Sequence, residues 1–412
     1  RTLAQLSVFP RSFCVDAAEA VLDYREWNAA APKPELLSSL LAQSLLQRVR
    51  SRLQLLSAIR NFARLQLSDA QRGRAELSMA QWYAQWGLSL HHRFGSQSRH
   101  EELNFKRSIE VCLQRNERVL ALRNTLALVQ ARRRWQGTAQ QRRMYDAVRF
   151  LLQDDCIPSA HIRFRYSEHL RLSGDYQQSH SLLMRLVPFF EQRNLEADLI
   201  MVLNSVALTR LDQGNTESAL SSLDRAYEVA FQMGSEHLMG TTLSNRGYCL
   251  TQSSMFEQAL ATLQQALQHL EHGGDELAQH QVLSNMGLIA LRRGDALAAI
   301  TLYSRAFELC GHQMSQGFGL AQMNLGLAHV LHNQVDAADQ CFLRANSELK
   351  RIGAHRNLAI LHANWALLRV TQGRWASADR HCVLAERSNQ EHYHPVTAYL
   401  LMRVQCFLAL NQ

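Results

Sequence analysis

Residues 204–226 read NSVALTRLDQGNTESALSSLDRA, and the small residues in this stretch decide the fold. Ala207 stands seven residues before Gly214, Ala219 five after it, and Ala226 seven further on, with Leu223 three residues before Ala226. The arrangement returns along the chain. A breaker recurs at Gly174, Gly214, Ser254, Gly294, Asn333 and Gly373, at spacings of 40, 40, 40, 39 and 40. Seven residues before each lies Ser167, Ala207, Gly247, Gly287, Gly326 or Ala366, and five after lies Ser179, Ala219, Ala259, Ala299, Ala338 or Ala378. From the second unit onward Ala226, Ala266, Ala306, Ala345 and Ala385 complete the pattern, preceded by Leu223, Leu263, Tyr303, Phe342 and Cys382.

Two antiparallel helices joined by a tight turn approach closely only where the crossing positions lack bulk, with one large knob set beside them. Gly or Asn in the turn fits a backbone that must take positive φ. The pattern resembles the tetratricopeptide repeat, departing from it by a 40-residue period where that family has 34. The longer period implies longer helices or longer connections. Six good copies cover about residues 160–394, and a weaker one begins near Asn124, with Ala127 and Ala139 at the same separation. Pro395 opens an apolar segment, Val396–Leu410, expected to cap the stack.

The resemblance implies a right-handed superhelix whose first helices line a groove. Two residues before the small crossing position stand Asn245, Asn285, Asn324 and Asn364, with Ser205 in that place in the second unit and Asn204 beside it. Asn is a mediocre helix former, so four in register call for a reason. In peptide-binding members of the family an Asn here bonds the backbone of an extended peptide, an amide being both donor and acceptor. The alternative is that these residues bond neighbouring repeats. Leu208, Tyr248, Leu288, Leu327 and Leu367 lie alongside and would give the groove an apolar floor.

Composition supports this class. Of 412 residues 47% are hydrophobic and 19% charged, with 6 Pro and 19 Gly, as expected of a folded helical chain of two to four domains. No stretch is long and apolar enough to span a bilayer, and no signal pattern follows Arg1, so the expectation is a cytoplasmic chain without membrane contact that forms part of a longer protein. The eight Cys are scattered with no Cys-x-x-Cys pair, which disfavours a disulfide framework or a zinc site. Net charge is +8, carried at the front: residues 1–160 hold 24 basic and 14 acidic side chains. The excess gathers at Arg115, Arg118, Arg123, Arg132, Arg133, Arg134, Arg142, Arg143 and Arg149. Such a surface can attract nucleic acid or an acidic partner, or dock a neighbouring domain, although aromatic residues for base stacking are few.

The first 123 residues lie outside the clear repeats. Short helices are expected at Arg1–Phe9 and Val15–Val21, the second capped near Cys14–Asp16. After a loop with Pro32 and Pro34, a helix is expected at Pro34–Leu41, then a hairpin of Leu45–Arg48 and Arg52–Leu56, then a helix at Ser57–Leu67. The motifs Leu6-Ser7-Val8-Phe9, Ala17-Ala18-Glu19-Ala20-Val21 and Leu53-Gln54-Leu55-Leu56, the last with Ile59–Ala63, resemble in order the winged helix of signal-transduction ATPases with numerous domains. Ala75–Arg93 with Glu101–Phe105 is similar to the helical connector of the large bacterial transcriptional regulators of that class.

The whole is then expected to be mainly α: a winged-helix domain at 1–68, a connector at 69–123 and tetratricopeptide repeats at 124–412. No phosphate loop is present, so the resemblance places the nucleotide-binding domain and its ATP or ADP upstream, and leaves this chain without a cofactor. DNA contact would come through a separate domain, because Pro34–Leu41 holds no Arg and makes a poor recognition helix. The pairs His269/His272 and His329/His332 share helix spacing without a third metal ligand, and no catalytic constellation can be assembled. The expected function is the sensor half of a signalling regulator with a protein, peptide or small effector in the groove. The alternatives are a free-standing scaffold, or nucleic-acid binding through 115–149.

Overall fold

A computed structural model describes residues 1–23, 33–89, 100–132, 145–146, 149–153, 155–310, 316–352 and 354–390. Among them are 19 α-helices, one 3-10 turn at Arg149–Gln153 and a two-stranded sheet. Backbone contacts divide the chain into two compact units, Arg1–Arg133 with Gln141–Arg165, and Arg134–Gln140 with Tyr166–Gln412.

The first unit opens with α1 (Thr2–Leu6), α2 (Val15–Val21) and α3 (Lys33–Ala42). Pro34 falls in the first turn of α3, where a missing N–H costs nothing, and the helix starts one residue earlier than expected, at Lys33. Strands β1 (Gln47–Val49) and β2 (Arg52–Gln54) pair antiparallel with Arg48 opposite Leu53, a shorter hairpin than expected. Phe13 extends the ladder on the other side, exchanging both backbone hydrogen bonds with Leu53 at 2.9 and 2.8 Å. Leu6, Phe9, Phe13, Val21, Leu46 and Leu53 close the core beneath it, Phe9 stacking on Phe13 at 4.1 Å. Helix α4 (Ser57–Leu65) follows, and then α5 (Asp69–Ser89), α6 (Glu102–Gln114) and α7 (Arg118–Arg132) pack on one another.

From Ile157 the chain runs as six helix pairs, the unit boundary falling within the first helix. The pairs are α8 (Ile157–Leu172) with α9 (Tyr176–Glu191), α10 (Glu196–Asp212) with α11 (Thr216–Gln232), and α12 (Glu236–Gln252) with α13 (Phe256–His272). Then come α14 (Glu276–Arg292) with α15 (Ala296–Cys310), α16 (Gln316–Leu331) with α17 (Val335–Ile352), and α18 (His355–Thr371) with α19 (Trp375–Gln390). All six breakers fall in the turn inside a pair and have positive φ, from 57° at Asn333 to 86° at Gly174. Between pairs the same conformation returns at Asn194, Gly234 and Gly274, so the true punctuation from 174 to 294 is one residue in every 20. Helices of 17 residues joined by three-residue turns make each half, which locates the extra length of this repeat in its helices.

The crossings are built as the spacing implies. A Cβ on Gly247 would lie 2.5 Å from Leu263 Cγ, one on Gly326 2.5 Å from Phe342 Cε1, and one on Gly287 3.0 Å from the Tyr303 ring. Each knob is fully buried. Five of these pairs share a further asymmetry. The first helices α10, α12, α14, α16 and α18 pack directly on one another in succession. Second helices reach each other through long side chains, Arg225 of α11 to Glu191 of α9, and Arg305 of α15 to Glu271 of α13 at 3.3 Å. Closer spacing on the first-helix side curves the stack toward that side, which therefore forms its inner face.

Candidate functional site

The inner face is made by four positions on each of the five first helices α10, α12, α14, α16 and α18. They recur 13, 10, 9 and 6 residues before the breaker, and in an α-helix those offsets share one side. The row at nine residues contains Ser205, Asn245, Asn285, Asn324 and Asn364. Asn245 and Asn324 are half-buried; Asn285 and Asn364 are each only 8% exposed. Asn285 Nδ2 donates to Ser244 Oγ of the preceding first helix at 3.4 Å, and its Oδ1 accepts from Gln281 Nε2 at 3.2 Å. Asn204, one residue away from the row, donates to Thr242 Oγ1 of the following first helix at 3.2 Å. Part of the series therefore ties first helix to first helix. Beside it Leu208, Tyr248, Leu288, Leu327 and Leu367 are all half-buried. Burial, then the nearby Asp212 carboxylate, raise the Tyr248 hydroxyl above its ordinary pKa, so it stays a neutral donor.

Of the basic side chains singled out in the sequence, Arg133, Arg134, Arg142 and Arg143 lie outside the described residues, as does the side chain of Arg132. Arg115 is placed: it lies over Gly73 and reaches Glu76 at 3.5 Å, on a carboxylate that Arg107 holds at 2.7 Å and Arg64 approaches to 3.7 Å. Much of the positive charge on α4 and α6 is thereby spent on one buried acid. His269 and His272 have separate partners, Glu236 Oε2 at 2.6 Å and the Gln268 carbonyl at 2.7 Å, and His329 contacts Gln334 Oε1. Among the described residues no three His, Cys, Asp or Glu side chains gather as a metal site. Burial pushes the thiols of Cys112 and Cys249 up to about 12, which leaves them protonated and unreactive at neutral pH. The expected cap, Val396–Leu410, also lies outside the described residues.

Two polar clusters escaped the sequence reading. In the first unit Arg52 Nη1 meets Glu101 Oε1 at 2.5 Å, Tyr83 donates to Glu101 Oε2 at 2.6 Å, and Asn104 Nδ2 donates to the same oxygen at 2.6 Å. Arg52 and Asn104 also donate to the Ser12 carbonyl, at 2.6 and 3.0 Å, so the hairpin is fastened to α5 and α6 through a buried charge pair. No spacing announces such a network, because its members are drawn from four distant segments.

The other cluster is in the last two pairs, where His362 Nδ1 and His381 Nδ1 face each other at 3.2 Å. Trp365 stacks on His381 at 4.5 Å and donates to Asp339 Oδ1, which also accepts from Arg369. Here the sequence did carry a signal. Eleven residues before successive breakers stand Leu203, Leu243, Leu283, Gln322 and His362, all buried, so the core leucine of three repeats gives way to a polar residue in the last two.

The tetratricopeptide repeat family matches residues 198–272, within the part built as helix pairs. No curated protein matches the chain in sequence. Among solved structures, a signal-transduction ATPase with numerous domains that has a tetratricopeptide repeat sensor, from Pyrococcus horikoshii, superposes over 99% of this chain with a TM-score of 0.59 and 16% identity. The chain spans 58% of that protein's length. A Rap protein in complex with competence and sporulation factor aligns over 81% of this chain and 99% of its own, at TM-score 0.50 and 14% identity. Aspartyl phosphate phosphatase F from Bacillus subtilis aligns over 79% and 95%, also at 0.50 and 14%. At these identities the likeness is one of fold: a mainly helical chain with tetratricopeptide-like repeats. Among the described residues no helix is long and apolar enough to cross a membrane.

Proposed function

We propose that this chain is the ligand-sensing and protein-interaction part of a cytoplasmic signal-transduction regulator. In this reading residues 1–68 act as a winged helix, 69–123 as a connector and 124–412 as the repeat sensor. The inner face takes a protein, peptide or small effector. Its occupancy controls an ATPase module encoded upstream, which holds the nucleotide, while any DNA contact belongs to a separate domain. Control requires the effector to bind one arrangement of the regulator more tightly than the other, since equal binding shifts nothing.

The observation that carries the reading is the Asn row at one register position on four successive first helices, flanked by half-buried Leu208, Tyr248, Leu288, Leu327 and Leu367. The repeat match over 198–272 and the fold likeness to a sensor of that class support it. A photo-crosslinking side chain placed at Gln281, which is exposed on the inner face, tests it against the same group at Gln265, exposed on α13. Adducts from native cytosol are expected at Gln281 and not at Gln265, and are expected to fall when Asn245 and Asn324 are both changed to Ala. Those two are half-buried, so the pair leaves the Asn285–Ser244 tie intact. Equal adducts at both positions, or no loss in the double variant, would remove the groove from consideration.

A further inference from the structure

From α10 to α18 the four inner positions carry no charge, whereas the same offsets on α8 hold Arg165 and Glu168. The four inner positions read Met201, Asn204, Ser205, Leu208 on α10; Thr241, Ser244, Asn245, Tyr248 on α12; and Gln281, Ser284, Asn285, Leu288 on α14. They continue as Leu320, Met323, Asn324, Leu327 on α16 and Ile360, Ala363, Asn364, Leu367 on α18. None is Asp, Glu, Lys or Arg, although such residues make up 19% of the sequence. Burial alone does not account for this, because Met201 and Gln281 are exposed and the rows of Thr241 and Tyr248 are half-exposed throughout. Charges return at the helix ends, with Glu196, Glu236 and Glu276 in first turns and Arg210, Arg292 and Arg369 in last turns.

The face is also graded. On α12 and α14 it is polar apart from Leu288, with Tyr248 its one large ring, and on α16 and α18 it is aliphatic apart from one Asn per helix. At the polar end two buried atoms, Asn204 Oδ1 and Ser284 Oγ, have no hydrogen-bond partner among the described residues. Buried polar groups are ordinarily paired, but these two atoms are enclosed beneath the face, so a peptide backbone meets the half-exposed Asn245 and Asn324 amides, which both donate and accept. A charged side chain pressed against this floor would lose hydration, and the nearest charges, Asp212 and Arg292 beside Tyr248, are already engaged, Asp212 by Arg171 at 2.7 Å and Arg292 by the Thr251 carbonyl at 2.9 Å.

Resting on the groove reading above, we infer that the occupant is an extended peptide segment without charged side chains, its small polar residues over α12 and α14 and its aliphatic residues over α16 and α18. Phosphate-bearing ligands and strongly acidic or basic tails are the classes this face rejects.

The test is a random peptide display library panned on the full 412-residue chain, beside Gln281→Glu and Gln264→Glu. Both glutamines are exposed, one on the inner face and one on α13; Gln281→Glu gives up the hydrogen bond to Asn285, so each variant is first matched to wild type by circular dichroism and thermal unfolding. Wild type and Gln264→Glu are expected to enrich uncharged sequences with an aliphatic block at one end. Gln281→Glu is expected to shift enrichment toward a single added Lys or Arg. Placing Lys at the centre of a selected peptide should weaken its binding to wild type by about tenfold or more. Enrichment of acidic or basic sequences by wild type would overturn this inference and leave the groove reading standing. Identical sets from wild type and Gln281→Glu would overturn the placement on α14. A library that enriches nothing would overturn both readings.

Discussion

At the scale of single residues, the crossing positions show how a repeat trades bulk between two sites. Ala207 coexists with Leu223 in one pair, Gly247 with Leu263 in the next, and Gly326 with Phe342, and every knob among these is fully buried. Gly in a helix interior is unfavourable by roughly 1 kcal/mol against Ala, so its presence at 326 needs a compensating contact. The Phe342 ring supplies it by occupying the space a methyl would need. Gly326→Ala should therefore destabilise despite its better propensity, by roughly 1–3 kcal/mol as overpacking does. Phe342→Leu should cost a similar amount through the gap it leaves. Together the two changes recreate the Ala207–Leu223 pairing, and the double variant should lose clearly less than the two single losses combined. Denaturant midpoints for the four proteins measure that coupling. Simple additivity would show that the ring and the glycine do not share the space.

At the scale of elements, α18 and α19 pack two facing imidazoles against each other, and this should make them sensitive to acid. Burial, then His381 and Lys350, push the His362 imidazole down to about 4; burial, then Arg369 and Arg380, push His381 down to about 4 against the pull of Asp339. Both are neutral at pH 7, and one Nδ1 donates to the other. The unfolded chain binds these protons near pH 6.5, so between there and pH 4 it holds more protons than the folded one. Stability is thus complete above about pH 6.5, falls as pH drops toward 4, and levels off below. For the buried His362 the loss is at most about 3 kcal/mol, whereas the half-exposed His381 is screened by solvent and adds less. His362→Leu restores the residue found at Leu203, Leu243 and Leu283 and should flatten the acid limb. Trp365, stacked on His381, reports the transition as the fluorescence difference between wild type and Trp365→Phe. An unchanged acid limb in His362→Leu would assign the proton uptake elsewhere. The same elements show what the sequence made legible. Period, crossing residues and helix pairing follow from local spacing and could be read directly. Asn285 could be placed on the inner face, but its tie to Ser244 depends on how closely two first helices approach, which no spacing encodes. The turns at Asn194, Gly234 and Gly274 have the same backbone but no small residue seven before or five after them, so no crossing pattern marks them in the sequence. The Arg52–Glu101 pair, which joins β2 to the start of the α6 region, was beyond any pattern.

At the scale of the whole molecule, the repeat part is a linear array in which each pair meets chiefly its neighbours, so its stability is close to a sum of pair terms and interface terms. The 20-residue half period makes a sharp test of that view, because halves match in length and differ in role. Removing residues 236–275 deletes α12 and α13 with one connecting turn and joins Ser235 to Glu276. Ser235 and Asp275 are both N-caps whose side chains accept from the backbone N–H three residues on, so the cap of α14 is preserved across the join. Ala226 and Ala306, Leu223 and Tyr303 remain as successive crossing sets, and the array should fold one pair shorter with its helical signal reduced in proportion. Removing only residues 236–255 takes out α12 with the turn after it and sets α13 directly after α11. Two second helices then stand in sequence, Leu263 loses the Gly247 backbone it fills, and the inner face is broken at Asn245 and Tyr248. Half the deletion should thus do far more damage than the whole. Circular dichroism and thermal unfolding of the two variants decide it: a cooperative melt for the longer deletion with loss of structure for the shorter is expected. If the shorter deletion melts as well as the longer, helix length alone would organise the stack, and the division into inner and outer helices would carry no weight.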